Sequence, residues 1–212
     1  MNRLSAWDML RPASFPTEQV MTINTGSVIT DAVPDHPLLN GRQEIGRGEN
    51  TIVLDGDVIN GQEHVFKVLS SPTDYAYYTA PDRPIGRHFP VVYADHGTAG
   101  RSSRGFPFHI VEVEKLYPLP GAGDAAELAT KISSSYFDAC LIWRNLAQDM
   151  GRIALHHLVV TPLGWTHAVR ESLKALEIFS GEYGALPDLM KADNLMMRKD
   201  GTLVFSDPVF ME

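Results

Sequence analysis

The sequence predicts an α+β protein with two lobes, in which a small antiparallel sheet with one short helix precedes a small, mainly helical half. From residue 44 to 116 the apolar residues fall in short alternating runs, which is typical of strands. From residue 124 to 179 they recur at steps of three and four, which is typical of amphipathic helices. A segment rich in Pro and Gly separates the two patterns. The expected parts are an N-terminal arm at 1–43, a β-rich lobe at 44–117 and a helical lobe at 118–212.

Composition narrows the range of functions. The 212 residues include 18 Lys and Arg against 26 Asp and Glu, a net charge of −8, with no block of basic residues. Nucleic-acid surfaces need clustered positive charge, so a nucleic-acid partner is disfavoured. A single cysteine, Cys140, rules out an intrachain disulfide and suits a reducing cytoplasm. No apolar run approaches the roughly 18 residues of a membrane span, so no membrane partner is expected.

Turn signals divide the first half into strands. The run from Ile45 to Leu54 is β-rich, and the dipeptides Asp55-Gly56 and Asn60-Gly61 predict turns on either side of a short strand. The run from Glu63 to Leu69 alternates and predicts another strand. Two further strands are expected at 89–94 and 109–116, joined by a turn-rich link at 97–107.

A short helix is predicted after the strand that ends at Leu69. Ser71 stands before Pro72, which suits the cap and the first position of a helix. Tyr75, Tyr77 and Tyr78 on this helix are interpreted as core or cleft wall, because the acidic charge argues against a stacking platform for nucleic acid.

Two longer helices are predicted in the second half. Asp124 is the expected N-cap of the first, and its apolar face is formed by Leu128, Ile132, Tyr136, Ala139 and Trp143. The run from 153 to 160 is short and apolar. The second amphipathic helix is expected from Thr166 to Phe179, ended by the glycines at 181 and 184. The remaining stretch predicts a loop, a strand, a turn and a strand.

The closing stretch carries the residue types of a phosphoryl-transfer site. Asp188, Lys191 and Asn194 follow one another closely, and a short apolar run then delivers Asp207 just before a proline. Such a site needs a carboxylate for the acceptor hydroxyl, a Lys that neutralises phosphate, and an Asn and an Asp that hold magnesium. These four residues are therefore the candidates for catalysis and metal binding.

Two upstream features could complete such a site. Gly46 and Gly48 form a Gly-x-Gly motif, which alone is more often a hairpin turn than a loop that lets backbone N–H groups approach phosphate oxygens. Lys67 has the strand parity of Val65 and Leu69, so we expect it on their inward face. A lysine on an inward face needs an anionic partner.

The order of these motifs resembles the protein-kinase signature set. In particular, the chain resembles the early serine/threonine kinases of short-tailed, T7-like bacteriophages, over roughly residues 44–210. Those kinases close with Asp-x-His-x-x-Asn-x-Met, then Gly, then Thr/Ser-Asp-Pro. Here the corresponding residues are Asp188-Leu-Met-Lys-Ala-Asp-Asn194-Leu-Met196, then Gly201, then Ser206-Asp207-Pro208.

The resemblance implies a role for each candidate residue, with ATP and Mg²⁺ as cofactors. Asp188 orients or deprotonates the acceptor hydroxyl, and Lys191 neutralises the transferring phosphate. Asn194 and Asp207 hold Mg²⁺. The nucleotide is bound by Gly46 and Gly48 over its phosphates, by Lys67 at the α- and β-phosphates, and by the backbone of a hinge from Glu112 through Glu114 to Leu116 at the adenine.

Several positions depart from the family pattern. Asp188 stands six residues before Asn194 instead of five, so either the loop holds one extra residue or the base is displaced. Counted back from Asn194, the base position falls on Leu189, and Asp193 is a partial substitute. The helix after Lys67 has no Glu, and Asp74 is its only carboxylate. The kinase pattern is also truncated after the Asp-Pro motif, which predicts no regulation through an activation segment.

These observations predict an ATP- and Mg²⁺-dependent protein kinase. The expected substrates are Ser or Thr hydroxyls of host proteins in the cytoplasm of an infected bacterium. The alternative is a catalytically inactive kinase-like protein, a pseudokinase, that binds and modulates a host protein. A weaker third possibility is a small-molecule kinase of the aminoglycoside type, which usually needs a larger helical lobe.

Overall fold

A computed structural model describes residues 29–191 and 194–210, without the side chains of 147 and 148. Within this part the protein is α+β, as predicted, with a five-stranded antiparallel sheet and four α-helices. The first half comprises β1 (Glu44–Arg47), β2 (Thr51–Ile59), β3 (Gln62–Leu69), α1 (Pro72–Thr79), β4 (Val92–Arg101) and β5 (Pro107–Glu114). The strand order in the sheet is β1-β2-β3-β5-β4.

One of the two predicted turns is confirmed and the other is wrong. Asn60 and Gly61 have φ angles of 53° and 80°, as the two-residue turn between β2 and β3 requires. Asp55-Gly56 is no turn, because β2 continues through it with a bulge that shifts the register between Asp55 and Val58. A Cβ on Gly56 would lie 2.6 Å from the His64 carbonyl oxygen, so the glycine permits a close approach of two backbones.

The link predicted at 97–107, between the last two strands of the first half, is longer than the observed connection. β4 runs on to Arg101, so only residues 102–106 connect it to β5. The pairing of β4 with β5 shifts register three times. The glycines of this segment predict a loop, but Gly97 and Gly100 have positive φ angles inside a bulged edge strand.

The second half begins with three α-helices, of which the first and third lie close to the two predicted helices, whereas the second forms where only a short apolar run was expected. They are α2 (Asp124–Ile142), α3 (Met150–Val160) and α4 (His167–Glu182), with a 3₁₀ helix at Arg144–Asp149. Thr166 caps α4 by accepting a hydrogen bond from the Val169 amide. The N-cap of α2 is Gly123 and not Asp124, which lies one residue inside the helix. Trp143 lies beyond the end of α2 and is 40% exposed, so it does not share the buried helix face.

The closing stretch forms two small antiparallel pairs, which confirms the predicted loop, strand, turn and strand. They are β6 (Leu186–Pro187) with β9 (Val209–Phe210), and β7 (Leu195–Met197) with β8 (Leu203–Phe205). Since β6 pairs with β9 and β7 pairs with β8, the loop that links β6 to β7 lies beside the segment that links β8 to β9. These two neighbouring connections carry Asp188, Asn194 and Asp207.

The two faces of the sheet carry different cores. Val65 and Leu69 on β3 join a core with the helices, while Phe66 and Val68 face the other side. Ile29 and Leu39, from the segment before β1, cover that other side. Lys67 has the parity of Val65 and Leu69 and is 8% exposed, so its predicted inward position is confirmed. Across the described ranges, no helix combines the length and the apolar character that crossing a membrane requires.

Candidate functional site

Two buried charged side chains and one half-buried one come from three separate elements. We call Lys67 on β3, Asp74 on α1 and Asp207 after β8 the charged cluster. Asp74 is 4% exposed, and burial raises its pKa well above the ordinary value. The charge of Asp207 raises the pKa of Asp74 further, while the charge of Lys67 opposes the shift. The three groups are thus close enough to interact electrostatically.

Lys67 is held by a tyrosine. Its Nζ donates a hydrogen bond to the Tyr78 hydroxyl at 2.5 Å and lies 4.8 Å from the centroid of the Tyr78 ring. The Tyr78 hydroxyl in turn donates to the Ser206 carbonyl oxygen. The neighbouring Tyr77 hydroxyl donates to the Phe205 carbonyl oxygen at 2.6 Å. Two adjacent tyrosines of α1 therefore fasten the helix to the segment that carries Asp207.

Tyr77 and Tyr78 are core residues, as predicted. They are 2% and 1% exposed and pack edge to face with ring centroids 5.2 Å apart. Burial raises the pKa of both hydroxyls well above the ordinary value, and the charge of Asp207 adds to the shift. Both hydroxyls are therefore neutral donors at physiological pH. The sequence gives no sign that one of them contacts Lys67, because the contact joins two elements.

The start of α1 has the predicted cap. Ser71 is the N-cap residue, and its Oγ accepts a hydrogen bond from the Asp74 amide. This cap places Asp74 in the first turn, where its side chain enters the charged cluster. Among the described residues, however, Asp74 and Lys67 form no ion pair within 4.0 Å. Asp74 and Lys67 therefore interact through their charges without forming a direct ion pair.

Hydrogen bonds draw Asp188, Asn194 and Asp207 together. The Asn194 Nδ2 donates to the Asp188 carbonyl oxygen at 2.8 Å, and the Ser206 amide donates to the Asn194 carbonyl oxygen at 2.8 Å. The Asp188 amide donates to the Pro208 carbonyl oxygen at 2.7 Å. The residues directly before and after Asp207 are thus tied to Asn194 and Asp188. Sequence order alone predicted all three residues, and the structure brings them to one place.

Asp188 reaches the site in spite of its irregular spacing. Its carboxylate accepts the Met190 amide at 3.2 Å and lies 3.3 Å from Lys191 Nζ. Leu189, at the position expected for the base, is completely buried in the core. This geometry favours the alternative in which the loop holds one extra residue. The partial substitute Asp193 lies outside the described residues.

Two hydroxyls of α2 fix the backbone of this loop. Tyr136 donates to the Pro187 carbonyl oxygen and Ser133 donates to the Leu189 carbonyl oxygen, each at 2.7 Å. Asp188 lies between these two anchored carbonyls. The helix therefore anchors the backbone on both sides of Asp188.

The donor set at Asn194 and Asp207 suits Mg²⁺. The amide nitrogen of Asn194 is engaged by Asp188, which leaves its oxygen Oδ1 as the atom for a metal. Mg²⁺ is usually held by one or two carboxylates together with substrate phosphates and waters. No group of three or more His, Cys, Asp or Glu suited to a metal exists in the described part of the chain. One carboxylate and one amide oxygen fit a metal that arrives with a nucleotide better than an all-protein cage.

The glycine pair lies in the hairpin of β1 and β2. The Gly48 amide donates to the Thr51 carbonyl oxygen at 2.8 Å, and the Gly48 carbonyl accepts from the Ile29 amide at 2.9 Å. Neither Gly46 nor Gly48 has a positive φ. The hairpin-turn interpretation therefore describes its local structure. Glu49 lies at the tip of this hairpin, and its charge is the smallest contribution to the raised pKa of Asp74.

The side chains of Glu112 and Glu114 on β5 have partners away from Lys67. Glu112 accepts hydrogen bonds from His64 at 2.6 Å and from His96 at 3.0 Å. Burial works to raise the pKa of Glu112, but these two hydrogen bonds outweigh burial and lower it. Glu114 pairs with Arg198 at 2.6 Å. Any contribution of β5 to nucleotide binding must therefore come from its backbone, as the hinge hypothesis states.

The backbone beyond β5 offers one unpaired peptide position. The Lys115 amide donates to the Glu63 carbonyl oxygen, and the Tyr117 amide donates to the Met197 carbonyl oxygen. Between them, Leu116 is half-buried, and its N–H and C=O make no hydrogen bond to any described residue. A donor and an acceptor next to each other on one residue match the edge of a nucleobase.

Arg198 is a structural residue that the sequence analysis missed. It lies just after β7, and its guanidinium bonds both carboxylate oxygens of Glu114 and the carbonyl oxygens of Arg87 and Phe89. It thereby ties the β7–β8 pair to the sheet. No pattern around a lone arginine could have indicated this role, since all its partners are distant in sequence.

Two concavities in the surface lie away from the candidate residues. A concavity of about 590 Å³ lies on the outer side of the sheet, between residues 31–36 and 98–108. Another of about 300 Å³ lies beside Tyr117 and Lys199. Neither is lined by Lys67, Asp188 or Asp207.

The comparisons with known proteins add no functional assignment. The sequence matches no protein-family model and no curated protein. The chemistry of the residues themselves is therefore the basis on which a function can be proposed.

Proposed function

We propose that this protein is an ATP- and Mg²⁺-dependent phosphotransferase of the protein-kinase type. The observation that supports the proposal is that three elements bring four candidate residues to one place. β3 supplies Lys67, the loop between β6 and β7 supplies Asp188 and Asn194, and the segment after β8 supplies Asp207. Lys from the third strand, Asp and Asn from a catalytic loop, and a later metal-binding Asp are the working parts of protein kinases.

The roles of these residues follow from their chemistry. Bound Mg²⁺ would supply positive charge that neutralises the negative charge developing during transfer. Asn194 Oδ1 and the Asp207 carboxylate would hold it. Lys67 would contact the α- and β-phosphates, and the peptide of Leu116 would meet the adenine. The hairpin of Gly46 and Gly48 would lie over the phosphates.

The acceptor hydroxyl is assigned to Asp188. A carboxylate there orients the hydroxyl and accepts its proton, while the oxygen attacks the γ-phosphorus and the bond to the β-phosphate oxygen breaks. Lys191, 3.3 Å from that carboxylate and 42% exposed, can turn toward the transferring phosphate. We propose Ser or Thr hydroxyls of host bacterial proteins as acceptors, and a two-lobed kinase-like arrangement of the chain, on the resemblance described above.

Transfer of label from γ-labelled ATP tests the proposal. The full chain is incubated with Mg²⁺ and a bacterial lysate, beside Asp207→Ala and beside Asp200→Ala as a matched control. Asp200 is an exposed carboxylate in the turn between β7 and β8, where it accepts the Thr202 amide. We expect label on Ser or Thr with the wild type and Asp200→Ala, and a loss of about 10³-fold in rate with Asp207→Ala. Equal transfer by all three, or by none, contradicts the proposal.

A second candidate function is a kinase-like binding protein without transfer. The observation that favours it is Glu49, an acidic residue in the turn between β1 and β2, the hairpin that would cover the phosphates. Thermal unfolding with and without MgATP separates the two functions. A rise in Tm without any transfer of label would favour the binding protein. A rise in Tm with transfer supports the kinase.

A further inference from the structure

We propose that Tyr78 is the positioning residue for Lys67, and that its hydroxyl replaces the helix carboxylate that holds this lysine in protein kinases. The inference rests on the proposed function for its consequence, but the contact itself is a property of this chain. In protein kinases a Lys on the third strand pairs with a Glu on the following helix. Here the helix offers a tyrosine for the same purpose.

The contacts of Tyr78 fit this role. Its hydroxyl accepts a hydrogen bond from Lys67 Nζ at 2.5 Å, and the ammonium also lies 4.8 Å from the ring centroid. A cation near an aromatic face gains electrostatic attraction, and more when the pair is shielded from water. Tyr78 is 1% exposed and Lys67 is 8% exposed, so the contact is shielded from bulk water.

Geometry explains why Asp74 does not hold the lysine. It lies in the first turn of α1, and Tyr78 follows four residues later on the same helix face. The Asp74 carboxylate interacts with the N-cap residue Ser71. The tyrosine side chain is longer, and it spans the distance from the helix to β3 that the aspartate leaves open.

Tyr78 also links Lys67 to the metal end of the site. The same hydroxyl that accepts from Lys67 donates to the Ser206 carbonyl oxygen, next to Asp207. One hydroxyl thus fixes the position of the lysine relative to the residue that would hold Mg²⁺. A carboxylate could not make this link, because it accepts hydrogen bonds but does not donate one to a carbonyl oxygen.

The matched pair Tyr78→Phe and Tyr77→Phe tests the inference. Each variant removes one buried hydroxyl and one hydrogen bond from α1 to the backbone of residues 205–206, but only Tyr78 contacts Lys67. The first measurement is the rate of reductive methylation of Lys67 by formaldehyde and cyanoborohydride, resolved by peptide mass spectrometry without nucleotide. The second is the Kd of MgATP by calorimetry, together with KM and kcat for transfer.

We expect Tyr78→Phe to speed methylation of Lys67 and to weaken MgATP binding by about tenfold or more, since a hydrogen bond to a charged group is lost. KM for ATP should rise more than kcat falls. Tyr77→Phe should stay within about twofold of the wild type in each measurement, within the ordinary scatter of a structural change. If the two variants behave alike, Tyr78 has only a structural role and the inference is overturned.

Two further results keep the inference separate from the proposed function. If the wild type binds no MgATP, the proposed function fails, while the methylation rates still decide whether Tyr78 positions Lys67. If Tyr78→Phe does not fold, NMR of the wild type decides. Lys67 ammonium protons with cross-peaks to the Tyr78 ring support the contact, and their absence at low temperature contradicts it.

Discussion

The closing segment at 186–210 and the β1–β2 hairpin at 44–59 contribute to the candidate site in different ways. In the closing segment, hydrogen bonds among Asp188, Asn194 and the neighbours of Asp207 hold the functional groups in place. In the hairpin, the Gly48 amide is engaged in the turn itself, and an acidic residue occupies the tip. The segment proposed to hold the metal and the acceptor is therefore organised in advance, whereas the segment proposed to cover the phosphates is an ordinary hairpin.

This difference indicates which groups must be reordered when a ligand binds. A group that is held in position before the ligand arrives acts without further ordering, which is the basis of preorganised catalysis. In the hairpin, the Gly48 amide would have to leave the Thr51 carbonyl oxygen before it could donate to a phosphate oxygen. We therefore expect substitutions in the closing segment to have larger functional effects than substitutions in the hairpin.

Asp188→Asn should give the largest effect among these comparisons. The amide retains the shape of the side chain but cannot accept the acceptor proton, so transfer should fall by about 10²-fold or more. MgATP affinity should change little, because Asp188 is assigned to the acceptor and not to the nucleotide. Steady-state kinetics with calorimetry separates the two quantities. A variant that transfers normally would show that the extra residue in the loop has displaced the base.

Arg198→Ala should destabilise the protein by about 2–3 kcal/mol, because it leaves the Glu114 carboxylate buried without its charge partner. Glu114 is 11% exposed and Arg198 is 20% exposed in this pair. Lys199→Ala is the control, since its pair with Glu63 is largely exposed and such pairs contribute about 0–1 kcal/mol. Urea unfolding measures both. Equal effects would mean that Arg198 does not join the closing segment to the sheet.

Asp74→Asn should alter how stability depends on pH. The folded state raises the pKa of Asp74 above its ordinary value of 3.8, so the folded protein binds this proton more tightly than the unfolded chain. Stability from this group is complete below the unfolded pKa and is lost as pH rises toward the folded pKa. The variant should therefore become more stable relative to the wild type as pH rises from 4. A constant difference across that range contradicts the raised pKa.

Gly48→Ala should give the smallest effect on stability, less than about 0.5 kcal/mol. The nearest atom to an added Cβ is the Thr51 carbonyl oxygen at 3.9 Å, which is an ordinary contact. Gly56→Ala is the contrast, because its Cβ would lie 2.6 Å from the His64 carbonyl oxygen and should cost about 1–3 kcal/mol. If Gly48→Ala keeps the fold and weakens MgATP binding, the hairpin approaches the phosphates. Unchanged binding restricts Gly48 to its role in the turn.

Local signals in the sequence predicted much of the fold. The Ser71-Pro72 cap, the Asn60-Gly61 turn and the inward parity of Lys67 each depend on a few neighbouring residues, and each is confirmed. Asp55-Gly56 failed because a glycine serves a bulge as readily as a turn, and the choice depends on the opposing strand.

Contacts between distant elements could not be predicted. Nothing near Lys67 indicates that its partner is Tyr78, and nothing near Glu112 indicates that His64 and His96 lie opposite it. The sequence therefore supplied the candidate residues for the site, while their partners required the packing of the whole chain.

The most direct test of the central claim is NMR with Mn²⁺ and ATP. Mn²⁺ replaces Mg²⁺ and broadens the signals of nearby nuclei. We expect ATP-dependent broadening of the amide signals of Asn194 and Ser206, and no broadening at His156 on α3. We also expect Asp207→Ala to lose the effect. Broadening that is absent, that centres elsewhere, or that persists in Asp207→Ala would contradict a metal–nucleotide site formed by the closing segment.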